Sequence, residues 1–331
     1  MADEYTIKKY SEEYGSKWDA FIEKESVNGT FLHTRRFLNY HPKGRFKDVS
    51  YMVFDKGGNI VAVCPACERE DNGKKVFFSH GGSTYGGLVF SKRVYAAHKV
   101  IGIMELLENE LKGNFDKVVF KITPTIFSKE PSDLLEYALY YKGYAASDEL
   151  NSYIDYGDYD DNILSNFAQG KRTNVNNCLK RGLILKSLET ENEITEFYAI
   201  LCETLDKYGK KPVHTATELL EFKNERLKDE CGFFGAYLGE KMIAGSMMFY
   251  FKNANVAHTQ YLCAMHEYDT LSPMTFMYYA MIKSAKEQGY GKISFGISTE
   301  DDGRYINEGL TKSKESFGGK HSVNRIYCKE L

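Results

Sequence analysis

The sequence predicts a mixed α/β (α+β) chain made of two similar halves, each a mainly antiparallel sheet flanked by helices. Three observations carry that prediction. β-rich runs alternate with segments in which apolar residues recur at helical spacing. The order of these segments in residues 1–155 recurs in residues 156–331. A length of 331 residues is about twice that of an ordinary domain.

The first half opens with a strand at 5–9 and a helix at 12–25, where Tyr14, Trp18, Phe21 and Ile22 fall on one face. A short helix at 34–40 is stopped by Pro42 and Gly44. Two β-rich runs, 49–54 and 60–64, flank Asp55-Lys-Gly-Gly-Asn and read as a hairpin, with a third run at 75–79. Ser79-His-Gly-Gly-Ser-Thr-Tyr-Gly-Gly-Leu holds four glycines, which suits backbone that approaches something closely. A helix (93–111), a strand (117–122), a helix (131–140) and a strand (144–153) complete the half.

The second half is expected to place helices at 166–180 and 193–208 around a strand at 182–186. A hairpin, 233–238 with 242–250, turns at Gly239 and leads to a strand at 255–262. A long helix (273–288), a strand (292–296), a short helix (307–317) and a last strand (322–328) follow. The repeat puts the boundary within 151–161, giving domains 1–155 and 156–331.

Composition narrows the function classes. The 43% hydrophobic and 27% charged fractions with only 6 Pro are those of a globular chain. A formal charge of −3 excludes the strongly basic body of a duplex DNA binder. The 25 Tyr and 21 Phe supply amphipathic faces for stacking on sugars or lining a groove. Met1-Ala-Asp-Glu-Tyr-Thr has no apolar stretch behind it, and the apolar run 243–251 is too short to span a bilayer. Seven Cys at irregular spacing do not form a disulfide framework, so a cytoplasmic protein with reduced thiols is expected. Cys64-Pro-Ala-Cys67 has no second pair to complete a metal site, so no metal is expected.

Three segments of the second half resemble the FemAB-like transferases of the GNAT superfamily, which carry tandem GNAT domains and attach amino acids to peptidoglycan precursors. Lys171-Arg-Thr-Asn-Val-Asn-Asn-Cys-Leu-Lys-Arg-Gly-Leu is similar to the basic helix that opens their second domain. Tyr237-Leu-Gly-Glu-Lys-Met-Ile-Ala-Gly-Ser resembles their central hairpin, and Gly309-Leu-Thr-Lys-Ser-Lys-Glu-Ser-Phe-Gly-Gly their C-terminal FKxxFG segment. In the first half, Phe31-Leu-His-Thr-Arg-Arg-Phe-Leu-Asn-Tyr-His and the glycine-rich segment with Tyr85 are similar to parts of related GNAT-type proteins.

The resemblance implies two tandem GNAT-like domains and an N-acyltransferase in which an amine attacks an activated acyl carrier directly. Lys314 matches the Lys of FKxxFG and is the expected oxyanion-stabilising group, although Ser313 stands where the family has an aromatic. Glu300, in the loop Gly296-Ile-Ser-Thr-Glu-Asp-Asp-Gly-Arg-Tyr after a strand, is the candidate base. Lys171, Arg172, Asn174, Tyr85, Tyr261, Ser298 and Arg304 are candidate substrate contacts. His80 and His258 are the better placed of the eight histidines for a pocket.

No permanent cofactor is expected. The resemblance implies acyl-CoA as the expected donor, with aminoacyl-tRNA the alternative, and as acceptor an amino group of a small or nucleotide-linked precursor of the cell envelope or of a polysaccharide. His266-Glu-Tyr-Asp-Thr-Leu-Ser-Pro lacks the glycines with which GNAT enzymes hold a CoA pyrophosphate. A catalytically silent GNAT fold that binds a glycan or nucleotide sugar is the reading from a different class.

Overall fold

The computed structural model describes residues 4–42 and 44–331, which divide into two compact units. Unit 1 is Met1–Glu149 with Asp301–Arg304 and Val323–Leu331; unit 2 is Leu150–Glu300 with Tyr305–Ser322.

Unit 1 begins with β1 (Tyr5–Lys9), α1 (Gly15–Lys24) and α2 (Arg35–Leu38). A meander follows: β2 (Lys47–Asp48), β3 (Tyr51–Asp55), β4 (Ile60–Cys64), β5 (Ala66–Asp71), β6 (Lys74–Ser79) and β7 (Val89–Phe90). Then come α3 (Ala97–Leu111), β8 (Lys117–Lys121) and α4 (Asp133–Tyr141). β1-β3-β4-β7 form one sheet and β8-β6-β5-β2 a second, in which β6 and β8 run parallel. The predicted face of α1 buries Trp18, Phe21 and Ile22 with Met52, Val63 and Val89. α3 sets Val100, Ile103, Met104 and Leu107 against Phe77, Val118 and Phe120. Burying such side chains stabilises by about 1.5–3 kcal/mol each.

Unit 2 takes up β9 (Ala145–Asp155) from Leu150 onward, then α5 (Gln169–Lys180), β10 (Leu183–Ser187), α6 (Glu191–Asp206) and α7 (Ala216–Glu221). β11 (Cys231–Leu238), β12 (Lys241–Phe251) and β13 (Val256–Ala264) form an antiparallel meander. α8 (Pro273–Glu287) crosses over to β14 (Lys292–Ile297), which pairs parallel to β13 and antiparallel to β9. The short β15 (Thr299–Glu300) and β16 (Tyr305–Ile306), α9 (Glu308–Glu315) and β17 (Lys320–Glu330) end the chain. α8 starts with Pro at its first position, where no N–H is needed, and buries Phe276, Met277, Ala280 and Met281 with Ile243, Ala257 and Ile293.

The predicted repetition is therefore visible in each unit by itself. Each has a parallel strand pair, β6·β8 or β13·β14, whose crossover contains a 15-residue helix, α3 or α8. The ends depart from the predicted division at 155/156. Ile326–Glu330 pair antiparallel with β8, so the last nine residues complete unit 1.

Candidate functional site

The site of unit 2 is set by a fork between two strands. The parallel ladder of β13 and β14 covers Val256 to His258 and stops at the rung His258↔Ser294. β13 then continues to Ala264 paired, among the described residues, with β12 alone, while β14 pairs on with β9. A bulge at Gln260, where Met247 faces Tyr261 but Met248 faces Thr259, adds one residue to β13 and turns it away. Past His258, one edge of β13 is thus left without a neighbouring strand among the described residues, and at its far end Thr204 Oγ1 on α6 bonds both the N–H and the carbonyl of Ala264, each at 3.1 Å.

β14 is also irregular at the fork. Its register with β9 shifts between Ser294 and Ile297, and Gly296 adopts φ +73°, a conformation that costs a residue with a Cβ about 1–2 kcal/mol. In a regular strand successive carbonyls point to opposite sides. Here those of Gly296 and Ile297 converge on one ammonium, the Nζ of Lys314, at 2.9 and 2.8 Å.

Lys314 is 2% exposed, which makes it the reverse of an ordinary surface lysine. Burial lowers its pKa from the usual lysine range to about 7. α9 delivers it because Asn307 caps the helix by accepting from Leu310 N–H at 2.9 Å, and because Thr311 and Lys314, one turn apart, face inward. The rest of the FKxxFG-like segment anchors the helix end. Phe317 stacks on Tyr278 at 4.7 Å between centroids and meets Phe167 edge-on at 5.0 Å. A Cβ on Gly319 would stand 2.8 Å from the Lys314 carbonyl oxygen, which accounts for the glycine there. Two of the three Lys314 N–H groups are bonded to carbonyls, which leaves one for a ligand.

His258 stands on the other side of Gly296. A Cβ at Gly296 would lie 3.5 Å from its Cε1, and its Nδ1 is 3.2 Å from the Oγ of Ser294. Ser294 Oγ accepts from Gly296 N–H and donates to Asn151 Oδ1 at 3.0 Å, and Asn151 Nδ2 donates to Ser322 Oγ at 2.9 Å. Ser294 and Asn151 are fully buried, and the His258 ring is half-buried. Burial, and next the charge of Lys314, lower the His258 pKa to about 4, so the ring is neutral near pH 7. In the sequence, His258 stands out only as a histidine at a predicted strand; the ladder that singles it out is long-range.

Of the predicted contacts, the structure gathers some near Lys314. Ser298 follows Ile297 directly, is buried, and among the described residues its hydroxyl has no hydrogen-bond partner. Lys171 on α5 donates to Ser313 Oγ at 3.1 Å and sits 4.8 Å over the Phe317 ring, and burial lowers its pKa. The Ser at 313 thus receives the neighbouring cation. Arg172 spends one donor on the Phe167 carbonyl at 3.0 Å, and Asn174 is half-buried on the same helix. Tyr261 lies on β13 beyond the fork, where its hydroxyl is 2.7 Å from His214 Nδ1 and burial pushes its pKa up to about 12.

Others lie elsewhere. Glu300 on β15 is 61% exposed and 4.0 Å from the equally exposed Lys210. Arg304 belongs to unit 1, is exposed and pairs loosely with Asp301 at 3.9 Å. Tyr85, also in unit 1, is buried against Phe127, and burial raises its pKa. The glycine-rich segment around it approaches its own chain: a Cβ on Gly86 would stand 3.0 Å from Ser79, and one on Gly87 3.2 Å from Phe120. Cys64 and Cys67 are buried, and burial pushes both thiols up.

The junction before α8 follows its sequence. Ser272 N–H donates to the Asp269 carbonyl, Thr275 N–H to that of Ser272, and Pro273 has no N–H. Glu267 pairs with Lys241 at 2.5 Å. Of the amides at this helix start, those of Ser272 and Thr275 are thus already bonded and Pro273 has none.

Residues 169–305 match the family model of the Acetyltransferase (GNAT) domain. Among solved structures, FemX superimposes with a TM-score of 0.70 at 12% identity, over 98% of this chain and 97% of that one. L-PGS from Bacillus licheniformis gives 0.61 at 14% identity, over 97% and 93%. A tandem GNAT protein from the clavulanic acid biosynthesis pathway gives 0.57 at 10% identity, over 99% and 98%. No curated protein matches the sequence. Residues 169–305 thus match a GNAT acetyltransferase domain, and the chain as a whole shares the fold of FemX.

Proposed function

We infer that this protein transfers an acyl group from acyl-CoA to an amino group of a cell-envelope or polysaccharide precursor, by direct attack in a ternary complex. The observation that carries the reading is the Lys314 ammonium, buried at the fork by the carbonyls of Gly296 and Ile297. Its remaining N–H stabilises the oxyanion that forms when the amine adds to the thioester carbonyl. In a dry site such a donor contributes about 10²–10³ in rate. The strand-free edge of β13 between His258 and Ala264 pairs with the amide groups of an extended pantetheine arm, as an added strand pairs with a sheet edge. Ser298 supplies an uncommitted hydroxyl beside that arm or the acceptor. Lys171 adds positive charge for a phosphate-bearing substrate. The likeness to FemX and L-PGS supports the fold of this reading, and the acceptor class rests on analogy.

One observation favours aminoacyl-tRNA as donor instead. At the start of α8 the Ser272 and Thr275 amides are already bonded and Pro273 has none, which leaves few for a nucleotide pyrophosphate. The thermal midpoint of the protein with acetyl-CoA, CoA, a UDP-linked muramyl peptide and an aminoacyl-tRNA mimic separates the two, because a ligand of the native state raises it by mass action. The reading requires a rise with acetyl-CoA. A rise only with the tRNA mimic replaces it by the aminoacyl-tRNA reading, and silence from all four leaves the glycan-binding class.

A further inference from the structure

We propose that His258 is the group that takes the proton from the attacking amine, with Ser294 and Asn151 as positioning residues that hold the imidazole in one tautomer. This rests on the acyl-transfer reading and adds the proton's route to it.

The tautomer follows from counting donors. Ser294 Oγ has one proton and two lone pairs. Asn151 Nδ2 donates to Ser322 Oγ, so its Oδ1 faces Ser294 and can only accept. The single Ser294 proton is therefore committed to Asn151, and one lone pair is filled by Gly296 N–H. What remains at 3.2 Å from His258 Nδ1 is a lone pair. Nδ1 must then carry the ring proton, and Nε2 carries the basic lone pair. This assignment takes the Asn151 amide in the orientation that sets Nδ2 toward Ser322 Oγ and Oδ1 toward Ser294 Oγ.

Position agrees with the role. His258 occupies the last rung of the β13·β14 ladder, so it stands at the mouth of the fork, and Gly296 lies between its ring and the Lys314 ammonium. Burial, and next the charge of Lys314, keep the imidazole unprotonated near pH 7. Glu300, exposed and engaged with Lys210, has no such placement.

The step balances. A neutral amine attacks the thioester carbon, the C–N bond forms and the C–S bond breaks. The proton leaving nitrogen goes to Nε2 and is returned from the imidazolium to the departing thiolate, so the ring ends neutral and the thiol leaves as CoA–SH.

The test uses the full chain, acetyl-CoA and an amino-sugar acceptor, with thiol release as the readout. For His258→Ala the expected result is a fall in kcat of about 10²-fold or more with the KM for acetyl-CoA unchanged, partly restored by added imidazole in proportion to its concentration. Ser294→Ala, which keeps the base but frees its tautomer, is expected to lose about 10-fold in kcat and to gain nothing from imidazole. A folded His258→Ala protein with turnover within threefold of wild type, or a loss that imidazole does not touch, overturns the proposal. If wild type itself releases no thiol, the acyl-CoA reading has failed instead, and the two failures are told apart by that control.

Discussion

Lys314 shows how a single residue reports function through its cost. An ammonium with 2% exposure, held among the described residues by two neutral carbonyls, is destabilising where a methionine of similar length would pack freely. Its pKa is about 7 in the folded chain and in the ordinary lysine range, near 10.5, when unfolded. Between those values the unfolded chain binds more protons, so the unfolding free energy rises with pH over that window, and the penalty is complete below about 7. Lys314→Met is therefore expected to raise stability at pH 7 by about 1 kcal/mol and to remove wild type's rise between pH 7 and 10, so that the gap between the two proteins narrows as pH rises, as read by thermal unfolding of both proteins across pH. The sequence marks Lys314 only through the FKxxFG-like segment. Its burial follows from contacts with residues 17 and 18 positions away, which no local pattern encodes.

At the scale of elements, the fork depends on two irregularities, the bulge in β13 and the positive φ of Gly296. Gly296→Ala must place a Cβ where φ is +73° and 3.5 Å from the His258 ring. The expected outcome is a loss of about 1–2 kcal/mol in stability with a larger loss of turnover, because the two carbonyls no longer converge. Denaturant unfolding and steady-state rates check both parts, and a variant as active as wild type speaks against the fork as the working site.

Most elements were legible because their periodicity was strong, as in α1 and α8. β5 was not, since Cys67-Glu-Arg-Glu-Asp is a half-exposed edge-like run with little apolar alternation. α7 was missed although its start carries a legible signal: Thr215 and Glu218 form a capping box, with reciprocal bonds of 3.2 and 2.7 Å. α3 starts four residues later than its apolar pattern because Lys92–Val94 close a 3-10 turn first.

At the scale of the molecule, the repetition was readable from the order of elements, and its closing strands were not. Strand pairing between β17 and β8 joins residues some two hundred positions apart, and register of that kind leaves no local trace. One consequence is open to test. Removing Val323–Leu331 takes five paired residues from β8 and the buried Ile326 and Tyr327 from unit 1, so the midpoint of the truncated protein is expected to fall by about 10 °C, with the loss located in unit 1 by hydrogen exchange of β8. An unchanged midpoint would show that β8 does not depend on the last strand.

The central claim is that a buried ammonium at the strand fork of unit 2 stabilises acyl transfer. Its most direct test is the steady-state turnover of Lys314→Met beside wild type, with acetyl-CoA and an amino-sugar acceptor and with thermal unfolding recorded on the same samples. The account predicts a kcat lower by about 10²-fold or more in a protein at least as stable as wild type. Equal turnover in a fully folded variant would contradict it.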